Sequence, residues 1–250
     1  MKDIIFNHRS IRKYKNTAIP EEQLNRILEA GTRASNTGNM QAYSIIATKE
    51  KTLKEKLWEA HFKQDMVLEA PVVLTFCADF NRFNKWCTYR KAVPCYDNFL
   101  SFFTASIDAL LVAQNVALAA ESEGLGICYL GTTTYLADKI VEILKLPKGV
   151  VPITTLTLGF PDEKPELTDR LPLKGIVHQE IYHDYSEKDI DSIYAEKEAL
   201  PETKKWLEIN NKETLAQIFT DIRYAKKDNV YFSKQFLKTI ADQNFMNNED

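Results

Sequence analysis

The segment His8-Arg9-Ser10-Ile11-Arg12-Lys13-Tyr14 places two guanidiniums and a hydroxyl on one short stretch near the start of the chain. Arg9 and Arg12 lie three residues apart, so a helical turn or a tight bend aims both planar forks at one anion. Such forks match phosphate oxygens better than the point charge of a lysine does. Ser10 adds a hydroxyl donor. The chemistry indicated is capture of a phosphate group, although the same residues, taken alone, also read as a solvated basic face.

A second stretch with chemical potential runs from Gly124 to Thr134. Gly124-Leu125-Gly126 has the glycine chemistry of a helix C-cap, and Ile127-Cys128-Tyr129-Leu130-Gly131 reads as a strand that stops at a glycine before Thr132-Thr133-Thr134. A glycine at a strand end lets a flat ring approach the main chain, and backbone N–H groups there can donate to a ring nitrogen; equally, Gly131 can simply cap a strand. No catalytic triad or acid–base dyad stands out. Cys77, Cys87, Cys95 and Cys128 form no CxxC pair and the four histidines are scattered, so a metal site has little support. Reduced, mostly buried thiols are expected, with Cys87 and Cys95 placed in one polar loop.

These groups need elements to hold them. Pro20-Glu21-Glu22 reads as a helix start, and Leu24, Ile27, Leu28 and Gly31 repeat at helical spacing, predicting a helix from about Glu21 to Ala34. Tyr43 to Thr48 and Pro71 to Ala78 read as buried strands, with the amphipathic helix Lys51 to His61 between them. Asp79 to Asp97 is expected to be a long loop, its Phe80, Arg82, Phe83, Trp86, Tyr89 and Arg90 following no clean period. A helix from about Asn98 to Glu123 follows, and its stripe of Ala105, Ala109, Val112, Ala113, Val116, Ala117 and Ala120 permits close approach of another backbone, either within the monomer core or across a dimer. Ile153 to Gly159 is a further strand. The chain past Glu187 is helical and charged, breaks at Ala199-Leu200-Pro201, and ends in amphipathic helices over Thr214 to Ala225 and Phe232 to Ala241 that must pack on something.

With 250 residues, 44% of them hydrophobic, the chain can bury a real core, and a net charge of -3 gives no reason to expect a nucleic-acid partner. No apolar run approaches a membrane span, and the start lacks the apolar core and cleavage site of a signal peptide, so a cytoplasmic location is expected.

In order and spacing these pieces resemble the nitroreductase family of flavin mononucleotide (FMN) enzymes, in particular its branch of NADPH-dependent nitro, quinone and flavin reductases with a C-terminal extension. The resemblance runs from HRSIRKY through Ser35-Asn36-Thr37-Gly38-Asn39-Met40-Gln41, Gln64, the strand from Val72 to Asp79 and AQNVALAAESEGLGICYLG from Ala113 to Gly131. It continues in Leu158-Gly159-Phe160-Pro161 and Arg170-Leu171-Pro172, with a last weak stretch around His178 and Tyr182.

The resemblance implies an α+β fold, a mainly antiparallel central sheet flanked by helices, assembled as a two-fold homodimer. It implies a flavin-binding domain over residues 1–198 and a helical extension over 199–250, packed on the same domain or on the dimer partner. His8, Arg9, Ser10 and Arg12 match positions that contact the flavin phosphate and ribityl chain, and Arg170 matches a second phosphate ligand. Gln64 matches a glutamine bonded to the ring edge, and Tyr129, Leu130 and Gly131 the strand end along the ring, with the Gly131 N–H facing flavin N5. Asn36, Thr37, Gly38 and Met40 are implied to reach the neighbouring subunit's site.

The implied activity is ping-pong hydride transfer from NADPH or NADH through flavin N5 to nitroaromatics, quinones or free flavin. Lys204 and Lys205 are candidates for the NADPH 2′-phosphate, in a region where relatives carry a mobile basic loop; they also read as plain solvated charge. Two other readings stand beside this one: another flavin reaction on the same fold, such as dehalogenation or flavin breakdown, or a non-enzymatic FMN-binding protein. The second draws on a departure from the family pattern, since Thr168 stands where relatives carry a lysine two residues before Arg170. Lys164 and Lys174 are the candidates to replace that charge.

Overall fold

The structure, a computed structural model, describes residues 2–248. The chain forms two compact units, one of residues 1–166 with 232–250 and the other of residues 167–231. This division does not coincide with a split at 198/199, because residues 232–250 pack with the first unit.

The first unit is built on four strands: β1 (Tyr43–Thr48), β2 (Val72–Asp79), β3 (Gly126–Leu130) and β4 (Val150–Gly159). Their order is β1-β2-β4-β3, and every neighbouring pair is antiparallel, as the resemblance implied for the central sheet. Ile45 pairs with Phe76, Leu74 with Leu156 and Cys128 with Thr157. β2 is buried along its whole length. Its continuous apolar run fits that position, since a strand covered on both faces need not alternate.

Seven helices surround this sheet: α1 (Lys2–Phe6), α2 (Glu21–Thr32), α3 (Lys51–Ala60), α4 (Met66–Glu69), α5 (Asn81–Tyr89), α6 (Phe99–Ser122) and α7 (Ala137–Ile143). On one face, Val72, Leu74, Phe76, Ile127, Leu156 and Leu158 pack against Leu24 and Ile27 of α2 and Val112, Ala113 and Val116 of α6. On the other, Val73, Cys128 and Leu130 meet Leu57 and Ala60 of α3, Val67 of α4, Ile140 of α7, and Ile11 and Tyr14 of the basic segment.

The small-residue stripe of α6 is buried in this core. It admits α2 of the same chain so closely that a Cβ on Gly31 would lie 2.3 Å from a Val116 methyl. The opposite face of α6 carries large apolar side chains, and Leu100, Phe103, Ile107, Leu110 and Leu111 are all exposed. At 24 residues α6 is also long and apolar enough to cross a membrane, contrary to the sequence reading; half of its most apolar window is nonetheless buried in the core of the unit.

The segment from Asp79 to Asp97 is not a loop throughout. It contains α5, which buries Cys87, and Phe80 and Phe83 pack on Tyr96 with ring centroids 4.8 and 5.2 Å away. The four cysteines are free, three of them buried and Cys95 exposed.

The second unit holds α8 (Glu187–Ala199), α9 (Pro201–Asn210), α10 (Leu215–Gln217) and the start of α11 (Lys226–Asp242). Ser186 and Asp189 form a reciprocal capping box on α8, and Pro201 opens α9 at a position where its missing N–H costs nothing. The expected helix from Thr214 to Ala225 is α10 running into a π-helical turn at Ile218–Arg223. From Phe232 onward α11 belongs to the first unit, where Ile240 and Phe245 are buried beside Phe102 and Phe80.

Candidate active site

The basic segment is held along the edge of the sheet. Ser10 forms a parallel bridge with Ile127, and the Ile11 N–H donates to the Ile127 carbonyl at 2.8 Å. Gly126 makes this approach feasible, since a Cβ there would sit 2.7 Å from the Ile11 side chain. Tyr14 anchors the far end by donating from its hydroxyl to the Ile11 carbonyl at 2.6 Å, next to Thr157 Oγ1 at 2.8 Å. Burial pushes the Tyr14 hydroxyl well above its ordinary pKa, so it stays neutral.

Two acids and two backbone carbonyls, none singled out in the sequence, organise this segment. His8 Nδ1 lies 2.7 Å from Glu121 Oε1. Arg9 donates through Nε to the Pro165 carbonyl and through a terminal nitrogen to the Asn7 carbonyl, both at 2.8 Å. The backbone N–H groups of Arg12 and Lys13 both donate to Glu163 Oε1, at 2.5 and 3.1 Å. Among the described residues no carboxylate pairs with the Arg12 guanidinium. A cavity of about 420 Å³ opens here, lined by Arg9, Ile11, Glu121, Gly126, Glu163 and Lys164 among others.

At the other end of β3 a second group converges. Tyr129 is half-buried, with its hydroxyl 3.4 Å from Gln114 Oε1, and burial raises its pKa. Leu130 is buried, Gly131 is exposed, and a Cβ on Gly131 would meet nothing within 4 Å. The next residue, Thr132, receives Gln64 Nε2 at 3.2 Å and His61 Nδ1 at 2.9 Å on its hydroxyl oxygen. His61 is wholly buried, its Nε2 has no partner, and desolvation lowers its pKa to about 4. Sequence reasoning placed Gln64 but overlooked His61 and Thr132. The signal for His61 was its position four residues after the buried Leu57, at the C-terminal cap of α3.

Asn36, Thr37, Gly38 and Met40 lie elsewhere in the same unit. Thr37–Asn39 form a 3₁₀ turn with Gly38 at φ 55°, and the Thr37 N–H donates to Asp108 Oδ1 at 2.9 Å. Asp108 is a buried acid on α6 that also accepts the Ala42 N–H at 3.3 Å. It sits 13 residues before Glu121, the partner of His8, which on a helix is about 20 Å. Within one chain, therefore, the basic segment, the β3 end and Gln64 form one connected set, and the 36–40 turn stands apart from it.

Arg170, Lys204 and Lys205 are in the second unit. Arg170 donates to the carbonyls of Thr168 and Asp169 at 3.2 and 2.9 Å. Asp169 is paired with Lys197 at 2.7 Å, so its charge is offset by a lysine the sequence did not mark. Lys174 bonds Ser192 rather than the Thr168 region, and Lys164 lines the cavity of the first unit. Lys204 and Lys205 are exposed on α9, a regular helix rather than a loop. His178 is structural, with Nδ1 accepting the His183 N–H at 3.2 Å and Nε2 beside the Tyr185 hydroxyl at 3.1 Å.

Residues 5–160, which include the basic segment, Gln64 and all four strands, match the family model described as "Nitroreductase family". The chain belongs to the nitroreductase family. It is 33% identical to an FMN reductase (NADPH) of Bacillus subtilis over 183 residues, 72% of this chain and 74% of the relative. An oxygen-insensitive NADPH nitroreductase of Salmonella typhimurium is likewise 33% identical, over 186 residues, 74% of this chain and 76% of that one. A solved oxidoreductase from Bacteroides fragilis superposes with a TM-score of 0.96 at 54% identity, covering 98% of this chain and 100% of its own. The chain thus shares its fold with a solved structure through the second unit as well as the first.

Proposed function

We propose that this protein is an FMN-dependent NAD(P)H oxidoreductase acting on nitroaromatics, quinones or free flavin. The observation that carries the reading is the continuity of β3. Its start is bridged by Ser10, its end is the open Gly131, and the four steps from Ile127 to Gly131 span about 13 Å. A ligand with an anion at one end and a flat ring at the other fits that strip.

The residues present suit FMN. Arg12 has no competing carboxylate on its guanidinium, Arg9 and Ser10 lie beside it, and nothing fills the space above Gly131. His8, Arg9, Ser10 and Arg12 would hold the phosphate and ribityl chain. Gln64 and the Tyr129–Gly131 backbone would hold the ring. When bound, FMN supplies two-electron chemistry at N5, accepting a hydride equivalent from the nicotinamide and delivering it to an electron-poor acceptor. The protein's part is to bind and orient, and the buried neutral Tyr14 and His61 keep stray charge out of the strip.

The exposed apolar face of α6 supports a two-fold dimer. In that assembly Asn36, Thr37, Gly38 and Met40 complete the partner subunit's site, which accounts for their distance from their own chain's basic segment. Lys204 and Lys205 would meet the 2′-phosphate of NADPH. Anaerobic absorption spectroscopy tests the proposal: bound flavin should bleach on addition of NADPH and recover with a quinone. Protein that takes up no FMN, or bound FMN that neither nucleotide reduces, would refute it.

A further inference from the structure

We propose that the Thr132 hydroxyl donates a hydrogen bond to the flavin ring edge, and that His61 is the positioning residue that turns its proton outward. This rests on the FMN reading above. The argument starts from the hydroxyl oxygen, which has two lone pairs and one proton. Gln64 Nε2 can only donate, so its 3.2 Å contact occupies one lone pair. The 2.9 Å contact to His61 Nδ1 then decides what remains.

His61 is neutral at physiological pH, because burial lowers its pKa to about 4, and it carries a single N–H. If that proton sat on Nε2, a strong donor would be buried with no partner, and Thr132 would spend its own proton on Nδ1. Unpartnered buried N–H groups are rare. With the proton on Nδ1, the imidazole instead donates to Thr132 and fills the second lone pair, leaving only an acceptor lone pair unmatched at Nε2. The Thr132 proton is then committed to neither partner, on a half-buried residue that directly follows the exposed Gly131.

The local backbone is built to bring these two side chains to one oxygen. Phe62 and Lys63, between His61 and Gln64, are consecutive non-glycine residues in the left-handed region, at φ 52° and 58°. The bonds His61 N–H and Lys63 N–H to the Trp58 carbonyl, at 3.1 and 2.9 Å, hold that turn in place, and Gln64 N–H closes it on the His61 carbonyl at 3.3 Å. Two strained residues kept in succession are what surrounding structure maintains when the geometry they enforce is used. On the opposite side, Tyr135 N–H bonds the Thr132 carbonyl at 3.1 Å, so the threonine is held from its main chain too.

The test uses the full chain stripped of flavin and titrated with FMN, read by flavin fluorescence and by the positions of the visible bands. Thr132 is only half-buried, so Thr132→Val should fold, and it should bind FMN about tenfold more weakly with displaced bands, while Thr132→Ser should restore both. His61→Asn, whose amide nitrogen stands in for Nδ1, should bind nearly as the parent, and His61→Leu should resemble Thr132→Val. Nitrogen-15 NMR of the flavin-free protein should show the Nδ1–H tautomer at His61. Equal affinity and identical bands for Thr132→Val and the parent, or an Nε2–H tautomer, would overturn the proposal while leaving the FMN reading intact. Failure of the parent protein itself to bind FMN would overturn both.

Discussion

At the scale of single residues, His61 links the site to stability. Its pKa is lowered to about 4 in the folded chain, against about 6.5 in the unfolded one. Between these values the unfolded state binds more protons, so stability rises with pH across the window and is lost as pH falls through it. The effect of this one group should amount to roughly 2 kcal/mol by pH 5 and about 3 kcal/mol by pH 4, and be absent above pH 7. Urea unfolding at pH 7.5 and pH 5 checks it: His61→Asn should lose less stability over that interval than the parent, and equal losses would show that His61 is not buried as a neutral ring. Some site residues were visible in the sequence and some could not be. His61 follows Leu57 by one turn and Asp108 interrupts the buried stripe of α6 between Ala105 and Ala109, so both were open to periodicity. Glu163 bonds Arg12 from 151 positions away and Lys197 on α8 reaches Asp169 in an irregular segment, pairings that no local pattern records.

At the scale of elements, the contact between α2 and α6 is the tightest constraint on the layer that backs the sheet. A methyl on Gly31 would sit 2.3 Å from Val116, well inside any real contact. Gly31→Ala gains up to about 1 kcal/mol of helix propensity but must push the helices apart, and overpacking costs about 1–3 kcal/mol. A net loss of about 1–2 kcal/mol in chemical denaturation is therefore expected, and a stabilised variant would mean that α2 can slide without penalty. Elements of this layer were legible: β1, β2 and α6 fall within a residue or so of their expected bounds; β2 is buried throughout and writes a continuous apolar run, and α6 writes one because its buried and exposed faces are both apolar. α5 was missed although Phe83, Trp86 and Cys87 repeat at helical spacing, because the polar and basic residues between them mask so short a stripe, and the ring that fixes Phe80 and Phe83 is Tyr96, beyond the helix.

At the scale of the whole molecule, the exposed face of α6 is where assembly and cofactor binding meet. Leu110→Glu sets a charge among Leu100, Phe103, Ile107 and Leu111, and should convert the proposed dimer to monomer in light scattering while reducing FMN affinity at least tenfold. A parent protein that is monomeric at tens of micromolar and still binds FMN would defeat the shared-site reading. The composition of α6 announced a helix that must be covered, and resemblance supplied the partner; sequence alone could not say which face was inside, because both are apolar.

The return of the chain to its first unit has a consequence for synthesis. Phe245 is fully buried with its ring 5.7 Å from Phe102, and Gln243 donates to the carbonyls of Pro147 and Val150 at 2.9 and 2.6 Å. Residues 167–231 are thus an insertion between two parts of one core rather than a tail. A ribosome adding 5–20 residues per second leaves that core unclosed for roughly 4–16 s after residue 166 is made. During this interval Phe80 and Phe102 lack the cover that Ile240 and Phe245 later provide, which leaves both rings open to contact with other chains.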